Sequence, residues 1–492
     1  MNANAVGFFI DRHVTAGRGG RTAFVDPGRS LTYGAFQTAT ARFAAALAAA
    51  GVRREARIGL LMHDTVDFPV AFWGAIRAGV VPVPINTLLT PDLVAYILAD
   101  SRAELVVASP ALRGQVRHPA IVSDLDDFMA GHAPSAGAVD ASADEVAFWL
   151  YSSGSTGQPK GVRHVHGSLQ ATADTYAAQV LGIREDDVVF SAAKLFFAYG
   201  LGNAMTFPLS VGAQAVLLPD RPTPEAVLTV MARYQPTVFG GVPTLFASLL
   251  AQPGIGPGAG SARLRVSTSA GEALPAAVGE RWRDVVGTDI LDGLGSTEML
   301  HIFLSNRPGA IRYGTTGEPV PGYEVRIVDE DGRPAPQGTP GELVVRGPSA
   351  AEGYWNQRAR SRLTFRGEWT HTGDTYVQDE TGAFRYCGRG DDMLKVGGIW
   401  VSPFEVEGAL IAHPAVLEAA VVGAADNDGL VKPKAYVVLK DAATPSPALV
   451  AELQAHVKAA VGPWKYPRWI EFTDTLPKTA TGKIQRFRLR GA

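Results

Sequence analysis

The sequence predicts an α/β protein with a largely parallel sheet. Over roughly the first 130 residues, short apolar runs alternate with segments whose apolar residues recur with helical period. The runs "RIGLLM", "VVPVPI" and "ELVVAS" each have the length and composition of a strand buried in a sheet. Because strands that alternate with helices pack as parallel sheets covered by those helices, this order indicates an α/β domain.

The first long helix is predicted just before the run "RIGLLM". The stretch "LTYGAFQTATARFAAALAAAG" places Phe36, Phe43 and Leu47 at helical spacing, which gives the helix an apolar face. Thr32 is the expected N-cap, and Gly51 marks the expected end of the helix. This helix is therefore expected to cover one face of the sheet.

The texture of the sequence changes in its last third. From about residue 314, Gly and Pro separate β-type segments such as "YEVRIVD", "GELVVRG" and "AFRYCGRG". After "GRGDDMLKVGG" there remain about 100 residues, with the predicted strands "EAAVVGAAD" and "KAYVVLK" and a helix that begins at Ser446 and Pro447. We place the domain boundary near 389–391, which predicts an N-terminal domain of residues 1–389 and a C-terminal domain of residues 390–492.

The composition excludes several classes of protein. The 492 residues are 46% hydrophobic and 19% charged, with a net charge of -3, as in a globular protein without general attraction for nucleic acid or anionic membranes. Any polyphosphate must therefore be bound by local groups. The single cysteine, Cys387, excludes internal disulfides and is expected to be buried. Since no signal peptide or transmembrane run is recognised, we expect a cytoplasmic location.

The stretch "YSSGSTGQPKG" (151–161) carries the groups of a phosphate site. Its glycines let backbone N–H groups converge, its Ser and Thr hydroxyls donate hydrogen bonds, and Lys160 supplies charge. A Walker loop is excluded, because that pattern needs Gly-Lys followed by Ser or Thr, whereas Lys160 lies between Pro159 and Gly161. Taken alone, the stretch has the composition of a surface linker as well.

Four further stretches accompany it in a fixed order: "GLGSTEM" (293–299), "WTHTGD" (369–374), "GRGDDMLKVGG" (388–398) and "PKTATGKIQR" (477–486). Together the five resemble the signatures of the adenylate-forming superfamily, which includes acyl- and aryl-CoA synthetases, luciferases and the adenylation domains of peptide synthetases. The resemblance implies an α/β fold with a large N-terminal domain of stacked sheets and a distorted β-barrel, and a small mobile α+β C-terminal domain. It also implies ATP, Mg²⁺ and coenzyme A as reactants and cofactor, with an acyl-adenylate as the intermediate.

The resemblance assigns roles residue by residue. Glu298 corresponds to the Mg²⁺ ligand, Thr297 to the residue at the α-phosphate, and Lys483 to the lysine that bridges the carboxylate and the α-phosphate. Asp374 and Arg389 correspond to the ribose-binding pair. The remaining ATP-binding positions are Ser152, Ser153, Gly154, Ser155, Thr156, Gly157, Lys160, Gly271, Glu272, Ala273 and Asp292.

Two chemical steps at one site require two arrangements, and the family provides them by rotating its C-terminal domain. The resemblance places the hinge at Asp391, since a small polar residue beside Gly390 can absorb a large change in backbone angles. Gly397 and Gly398 correspond to the tunnel through which the thiol of coenzyme A reaches the adenylate, where a side chain would block the passage.

The segment "KLFFAYGLGN" (194–203) is the expected acid-binding segment, although its composition also suits the start of a core helix. It resembles the benzoate-CoA ligase branch, as do "GLGSTEMLHIFLSN" and "KVGGIWVSPFEVE". In that branch the ring pocket would be formed by Ala198, Tyr199, Gly200, Gly271, Gly295, His301 and Ile302. Glycines here suit a flat aromatic ring between two stretches of backbone, and His301 could either bond a ring substituent or merely pack.

Other functions stay open at this stage. A free-standing adenylation enzyme that loads an aryl acid onto a carrier protein would use the same site, and so would a ligase for another small cyclic or medium-chain acid. A luciferase-like oxidation and a non-catalytic nucleotide-binding module are further alternatives. The sequence does not determine which ring substituents are accepted or whether the protein is a homodimer. The pair His164 and His166 lacks a third ligand and does not predict a metal site.

Overall fold

The structure of the chain is a computed structural model. It describes residues 3–152, 158–390, 392–396, 399–426, 430–440, 443–462, 465–478 and 484–490. Within the described part, no helix is long and apolar enough to cross a membrane.

The strands are numbered in chain order. They are β1 Thr22–Val25, β2 Ser30–Thr32, β3 Arg57–Leu61, β4 Val81–Pro84, β5 Ala103–Ala108, β6 Ile121–Val122, β7 Val146–Ser152, β8 Lys160–Val165, β9 Val188–Ser191, β10 Gln214–Val216, β11 Val238–Gly241, β12 Val266–Ala270, β13 Ile290–Gly295, β14 Ile302–Ser305, β15 Glu318–Pro319, β16 Glu324–Val328, β17 Gly341–Arg346, β18 Gly353–Tyr354, β19 Phe365–Arg366, β20 Trp369–Gln378, β21 Phe384–Arg389, β22 Leu394–Val396, β23 Ile399–Val401, β24 Val416–Ala425, β25 Val431–Leu439 and β26 Trp469–Phe472.

The α-helices are numbered in the same way. They are α1 Arg12–Thr15, α2 Tyr33–Ala49, α3 Asp67–Arg77, α4 Pro91–Ser101, α5 Leu125–Met129, α6 His166–Thr172, α7 Ala198–Leu201, α8 Phe207–Val211, α9 Pro224–Tyr234, α10 Pro243–Leu250, α11 Ala276–Val286, α12 Arg358–Thr364, α13 Pro403–Ile411 and α14 Pro447–Val461. Further helical segments are Gly7–Asp11, Pro110–Gln115, Ala173–Leu181, Gly202–Thr206, Pro257–Gly260 and Arg486–Arg488.

A nine-stranded sheet forms the centre of the N-terminal part, with the strand order β15-β14-β13-β12-β11-β9-β10-β1-β2. The six strands from β13 to β1 run parallel, while the strands at both edges are antiparallel. One face of this sheet packs α9, α10 and α11 around the fully buried Trp282. The parallel centre confirms the predicted α/β class.

The three apolar runs of the first 130 residues form the predicted parallel strands. β3, β4 and β5 belong to one four-stranded parallel sheet with the order β4-β3-β5-β6. Pro82 and Pro84 lie on β4 at its edge, where a missing backbone N–H costs no ladder hydrogen bond. Helix α2 begins as predicted, because the Thr32 hydroxyl accepts a hydrogen bond from the backbone N–H of Ala35 at 3.2 Å.

The remaining strands form smaller sheets, in which most neighbouring strands are antiparallel. β18, β8 and β7 make a three-stranded sheet, and β16, β17, β20, β19 and β21 make a five-stranded one. Beyond them, β24, β25 and β26 form a sheet that buries Leu453 and Val457 of α14. Ser446 caps α14 through the backbone N–H of Leu449, as predicted. Cys387 is buried, and this burial raises the pKa of its thiol to about 11.

Candidate active site

Three of the predicted site segments lie at one edge of the nine-stranded sheet. Strands β9, β12 and β13 are parallel, so their carboxyl ends lie at the same edge. The acid-binding segment (194–203) follows β9, the turn 271–275 follows β12, and Thr297 and Glu298 follow β13. This edge is where ligands bind in open α/β sheets.

The strands on either side of the predicted phosphate loop pair directly with each other. Ser152 at the end of β7 lies opposite Lys160 at the start of β8. The hydroxyl of Tyr151 donates a hydrogen bond of 2.6 Å to Asp100, which attaches β7 to helix α4. The loop residues lie outside the described part of the chain: Ser153, Gly154, Ser155, Thr156 and Gly157.

Lys160 and Glu298 form a largely buried ion pair. Their Nζ and Oε1 atoms are 3.0 Å apart, and each side chain is only 15% exposed. Tyr354 joins them: its hydroxyl accepts from Lys160 at 2.7 Å and donates to Glu298 Oε1 at 2.7 Å. Burial by itself would raise the pKa of Glu298, but the charge of Lys160 and these hydrogen bonds outweigh it, so the pKa lies below its usual value. Glu298 is therefore ionised at neutral pH.

The surroundings of Glu298 fit a magnesium ion held chiefly by substrate phosphates. Mg²⁺ prefers carboxylate and phosphate oxygens and keeps several waters, so one ionised carboxylate is an adequate protein contribution. Within the described ranges, no cluster of three or more His, Cys, Asp or Glu side chains forms a metal cage. Glu298 is thus the residue that would hold the ion, and the ion would neutralise charge on the polyphosphate.

Two histidines that follow the phosphate loop have structural partners. The Nε2 atom of His164 contacts the carbonyl oxygen of Thr297 at 2.8 Å, which fixes the backbone next to Glu298. Burial lowers the pKa of His164 to about 4, so the ring is neutral and Nε2–H donates to that carbonyl. His166 Nδ1 accepts a hydrogen bond from the backbone N–H of Ala5 at 3.2 Å.

The predicted ribose-binding pair is brought together by neighbouring strands. Asp374 on β20 lies directly opposite Arg389 on β21, and Oδ1 of Asp374 is 3.0 Å from Nη1 of Arg389. The Asp374 side chain is 10% exposed, whereas the Arg389 side chain is 51% exposed. The arginine therefore orients a nearly buried carboxylate and still reaches solvent.

The turn after β12 is attached to Asp292 on β13. Asp292 lies opposite Ser269, and its carboxyl group makes backbone hydrogen bonds with Leu274 and Gly293. Burial raises the pKa of Asp292 well above its usual value, and its Oδ1 is buried with no hydrogen-bond partner in the described part of the chain. Gly271 begins the turn with φ of 98°, a conformation that favours glycine. Glu272 and Ala273 follow it on the turn.

Two of the expected acid-binding residues, Tyr199 and His301, lie next to each other. The Tyr199 hydroxyl donates to the carbonyl of Thr268 at 2.8 Å, and its backbone carbonyl lies 3.3 Å from His301 Nε2. The rings of Tyr199, Tyr176 and Phe207 pack around His301 at centroid distances of 5.7, 5.3 and 4.5 Å. Burial lowers the pKa of His301 to about 3, so its ring is neutral.

Gly200 and Gly295, which were expected to leave space for an aromatic ring, are also required by the packing of the backbone. A Cβ on Gly200 would lie 2.1 Å from the carbonyl oxygen of Lys194, and one on Gly295 would lie 2.6 Å from that of His301. These glycines are therefore required by contacts between backbones, whatever ligand is bound. Ala198 begins α7 half-buried, and Ile302 begins β14 fully buried.

Several predicted C-terminal residues lie outside the described part of the chain: Asp391, Gly397, Gly398 and Lys483. The residues that flank Lys483 are described. Lys478 and Ile484 form an antiparallel bridge, and the N–H of Gln485 donates to the carbonyl of Pro477 at 2.8 Å. The two ends of the segment 479–483 are therefore held next to each other.

Arg486 attaches this C-terminal segment to helix α13. It makes a two-pronged hydrogen-bonded ion pair with Glu407, whose carboxylate also accepts from the N–H of Val421 at 2.7 Å. The Arg486 and Glu407 side chains are 11% and 6% exposed. The Arg486 guanidinium also lies 4.2 Å from the ring centroid of Phe404, which packs on Tyr386 of β21. The charge of Glu272 also acts on Arg486 and helps to raise the pKa of its guanidinium.

The motifs did not identify three of these side chains. Tyr354, His164 and Arg486 contact predicted site residues or hold the chain next to them, but none had been assigned a role. Arg486 is the last residue of the stretch "PKTATGKIQR", and the sequence around His164 suggests no role other than that of a metal ligand. Tyr354 lies in "GYW", which carries no chemical signature by itself, so only the tertiary contact reveals it.

The chain belongs to the AMP-binding enzyme family. Residues 11–355 match the AMP-binding enzyme family, and residues 405–483 match the AMP-binding enzyme C-terminal domain. The first match covers more than half of the chain. The resemblance to adenylate-forming enzymes that the five motifs indicated is thereby confirmed.

Similar proteins cover the whole chain. It is 52% identical over 505 residues to the 4-hydroxybenzoate–CoA/benzoate–CoA ligase of Rhodopseudomonas palustris, with 99% of this chain and 94% of the relative covered. It is 53% identical over 506 residues to the benzoate–CoA ligase of Thauera aromatica, with 99% and 96% covered. A solved benzoate CoA ligase from Burkholderia xenovorans matches with a TM-score of 0.94 at 51% identity, covering 100% of both chains. The predicted fold class is confirmed.

Proposed function

We propose that the protein is an ATP-dependent aryl-CoA ligase that acts on benzoate or a closely related aromatic acid. The acid and ATP form an acyl-adenylate and pyrophosphate, and coenzyme A then displaces AMP. Full-length similarity to benzoate–CoA ligases confirms the predicted AMP-forming acid–CoA ligase. The structural observation that supports the proposal is the buried Lys160–Glu298 pair directly after β13. The Asp374–Arg389 pair and the aromatic surroundings of His301 are in keeping with it.

In the first step, negative charge accumulates where the carboxylate oxygen approaches the α-phosphate. Donors and cations that are already in place stabilise such charge most effectively. We assign Lys160 and the phosphate loop to the β- and γ-phosphates, Thr297 to the α-phosphate, and Glu298 to Mg²⁺. Lys483 would bridge the attacking carboxylate and the α-phosphate.

The nucleoside would be held by pre-oriented side chains. Asp374 would accept hydrogen bonds from the ribose hydroxyls while Arg389 orients its carboxylate. The unpartnered Oδ1 of Asp292 would accept from the adenine amino group. Gly271, Glu272 and Ala273 would form the surface on which adenine stacks.

The second step would require rotation of a C-terminal domain that begins near residue 390. Asp391 would be the hinge, and Gly397 and Gly398 would line the thiol passage.

Replacing Asp391 with proline is therefore expected to retain adenylate formation and to lose thioester formation, since proline fixes φ and prevents the rotation. The measurement is pyrophosphate release compared with CoA-dependent turnover of the same variant. Asp392→Ala, at the next residue, is the control. An equal fall of both half-reactions in the Asp391 variant would contradict the hinge assignment.

The acid-binding segment supports an aromatic substrate. The ring of Tyr199 is fixed by its hydrogen bond to Thr268, and the neutral ring of His301 packs against Phe207. Such apolar walls with a few fixed polar groups are typical of sites for small aromatic ligands. A long acyl chain would need a deep tunnel, which Tyr199 is expected to obstruct.

A panel of acids tests this substrate class. Benzoate and its hydroxy, amino and halogen derivatives, cyclohexane carboxylate and octanoate are compared by CoA-dependent pyrophosphate release. We expect benzoate to exceed octanoate at least tenfold in kcat/KM, because pocket contacts distinguish such acids by about 1 to 3 kcal/mol. A tenfold preference for octanoate would rule out the aryl assignment.

Measurement of AMP release distinguishes the CoA ligase from the carrier-protein alternative. Release of AMP with free coenzyme A and no carrier protein supports a CoA ligase, whereas a requirement for a carrier protein supports an adenylation enzyme.

A cytoplasmic location belongs to the proposal and rests on the single, buried cysteine.

A further inference from the structure

We propose that Tyr354 is a positioning residue that holds Lys160 on Glu298 in the nucleotide-free enzyme, so that magnesium-bound nucleotide must separate this pair in order to bind. The inference rests on the proposed assignment of Lys160 to the phosphates and Glu298 to Mg²⁺. It goes further by giving these residues a defined arrangement before the nucleotide arrives and by assigning a role to a third side chain.

The charges of the pair give the physical reason. Glu298 and Lys160 are each only 15% exposed, and an ionised carboxylate at such a position needs a partner of opposite charge. In the free enzyme that partner is Lys160. On nucleotide binding, Lys160 would turn to the phosphates and Glu298 would hold the accompanying Mg²⁺, so neither buried charge would be left without a partner.

Tyr354 is the fixed member of the group. Its backbone belongs to β18, where it pairs with Val162 of β8, the strand that begins at Lys160. Its ring is 4% exposed and packs on Phe365 at a centroid distance of 5.4 Å. The Lys160 ammonium lies 4.1 Å from the centroid of the same ring, a cation–π contact. Lys160, on a flexible side chain, is the member that can move.

The hydrogen bonds of Tyr354 determine the direction of its effect. A tyrosine hydroxyl has one hydrogen, which is directed to Glu298, and lone pairs, one of which accepts from Lys160. The hydroxyl also lies 3.4 Å from Thr364 Oγ1, a longer contact that does not involve the nucleotide site. The bond to Glu298 can persist after nucleotide binds, but the bond from Lys160 exists only while Lys160 is paired with Glu298. Removal of the hydroxyl therefore destabilises the free enzyme more than it destabilises the nucleotide complex.

The test is the substitution Tyr354→Phe, which keeps the ring and its packing. Binding of Mg²⁺ with α,β-methylene-ATP, which cannot release pyrophosphate, is measured by calorimetry together with the thermal midpoint of the free protein. We expect a lower midpoint for the free protein and a dissociation constant about three- to tenfold smaller than that of the wild type. These two changes have opposite signs, which loss of structure alone would not produce.

Tyr323→Phe is the matched control, because Tyr323 is also a buried tyrosine and its 2.6 Å hydrogen bond is to Ser349, not to Lys160 or Glu298. It should lower the midpoint without tightening nucleotide binding. An unchanged or larger dissociation constant for Tyr354→Phe would overturn the proposal.

A second measurement does not depend on that variant. In the free protein, the midpoint loss of Lys160→Met combined with Glu298→Gln should be smaller than the sum of the two single losses, because each single change leaves one buried partner without the other. Additive losses would mean that Lys160 and Glu298 do not stabilise each other, and they would overturn the proposal. These outcomes are separate from the proposed function, which is tested on the wild type by the panel of acids and by its dependence on free coenzyme A.

Discussion

Replacing Lys483 with alanine is expected to lower ATP–pyrophosphate exchange by at least about 10²- to 10³-fold, the typical cost of removing one group that stabilises transition-state charge. Conversion of a supplied acyl-adenylate to the thioester should continue, because in the proposed mechanism that step would use the other arrangement of the C-terminal domain. The measurement compares the two half-reactions in the same preparation.

Lys478→Ala is the control for this experiment. Lys478 belongs to the same motif and flanks the same segment, but its ammonium pairs with Glu418 at 2.7 Å. We expect it to retain most of both half-reactions. If Lys483→Ala lost both half-reactions equally, the lysine would have a role in folding and not in adenylation.

Replacing Arg486 with methionine is expected to destabilise the C-terminal part of the protein by about 3 to 5 kcal/mol, the usual cost of removing one partner of a buried ion pair. Glu407 would lose its cationic partner at 6% exposure and retain only the N–H of Val421 as a described donor. The measurement is thermal unfolding of the full chain, with the adenylation half-reaction as a second readout, because Arg486 lies three residues after Lys483.

Two further variants define the cause. Arg488→Met removes a charge from an exposed residue of the same helical segment and should have little effect on unfolding. Glu407→Gln combined with Arg486→Met keeps an acceptor for Val421 but removes the buried charge, and it should recover part of the lost stability. No recovery in the double variant would mean that packing of Arg486 on Phe404, and not its charge, is what stabilises this segment.

The sequence predicted the parallel part of the fold well because local rules govern it. The runs 57–62, 80–85 and 104–109 became neighbouring parallel strands, since an apolar run of strand length between helical segments has few other ways to be buried. The caps at Thr32 and Ser446 were also predictable, because a cap depends on residues only three positions apart. The antiparallel edge strands β14 and β15 were not foreseen, since their pairing joins distant segments.

The residues of the candidate site were predictable where they belong to short sequence motifs. Lys160, Glu298, Asp374 and Arg389 were all singled out from the sequence, and the structure brings the first two and the last two into contact. What the motifs did not contain is the reason for Gly200 and Gly295. The sequence suggested room for a ring, whereas contacts between backbones forbid any side chain there.

By itself, then, the sequence determined the class of chemistry, because phosphate-binding and charge-stabilising residues must be of particular types at particular spacings. Only the tertiary structure decided which of these residues contact one another and which neighbours hold them. Tyr354 and Arg486 illustrate the physical reason: a tyrosine or an arginine acquires its role from the buried charge that it meets across the fold, and that charge lies 56 residues from Tyr354 and 79 residues from Arg486 along the chain.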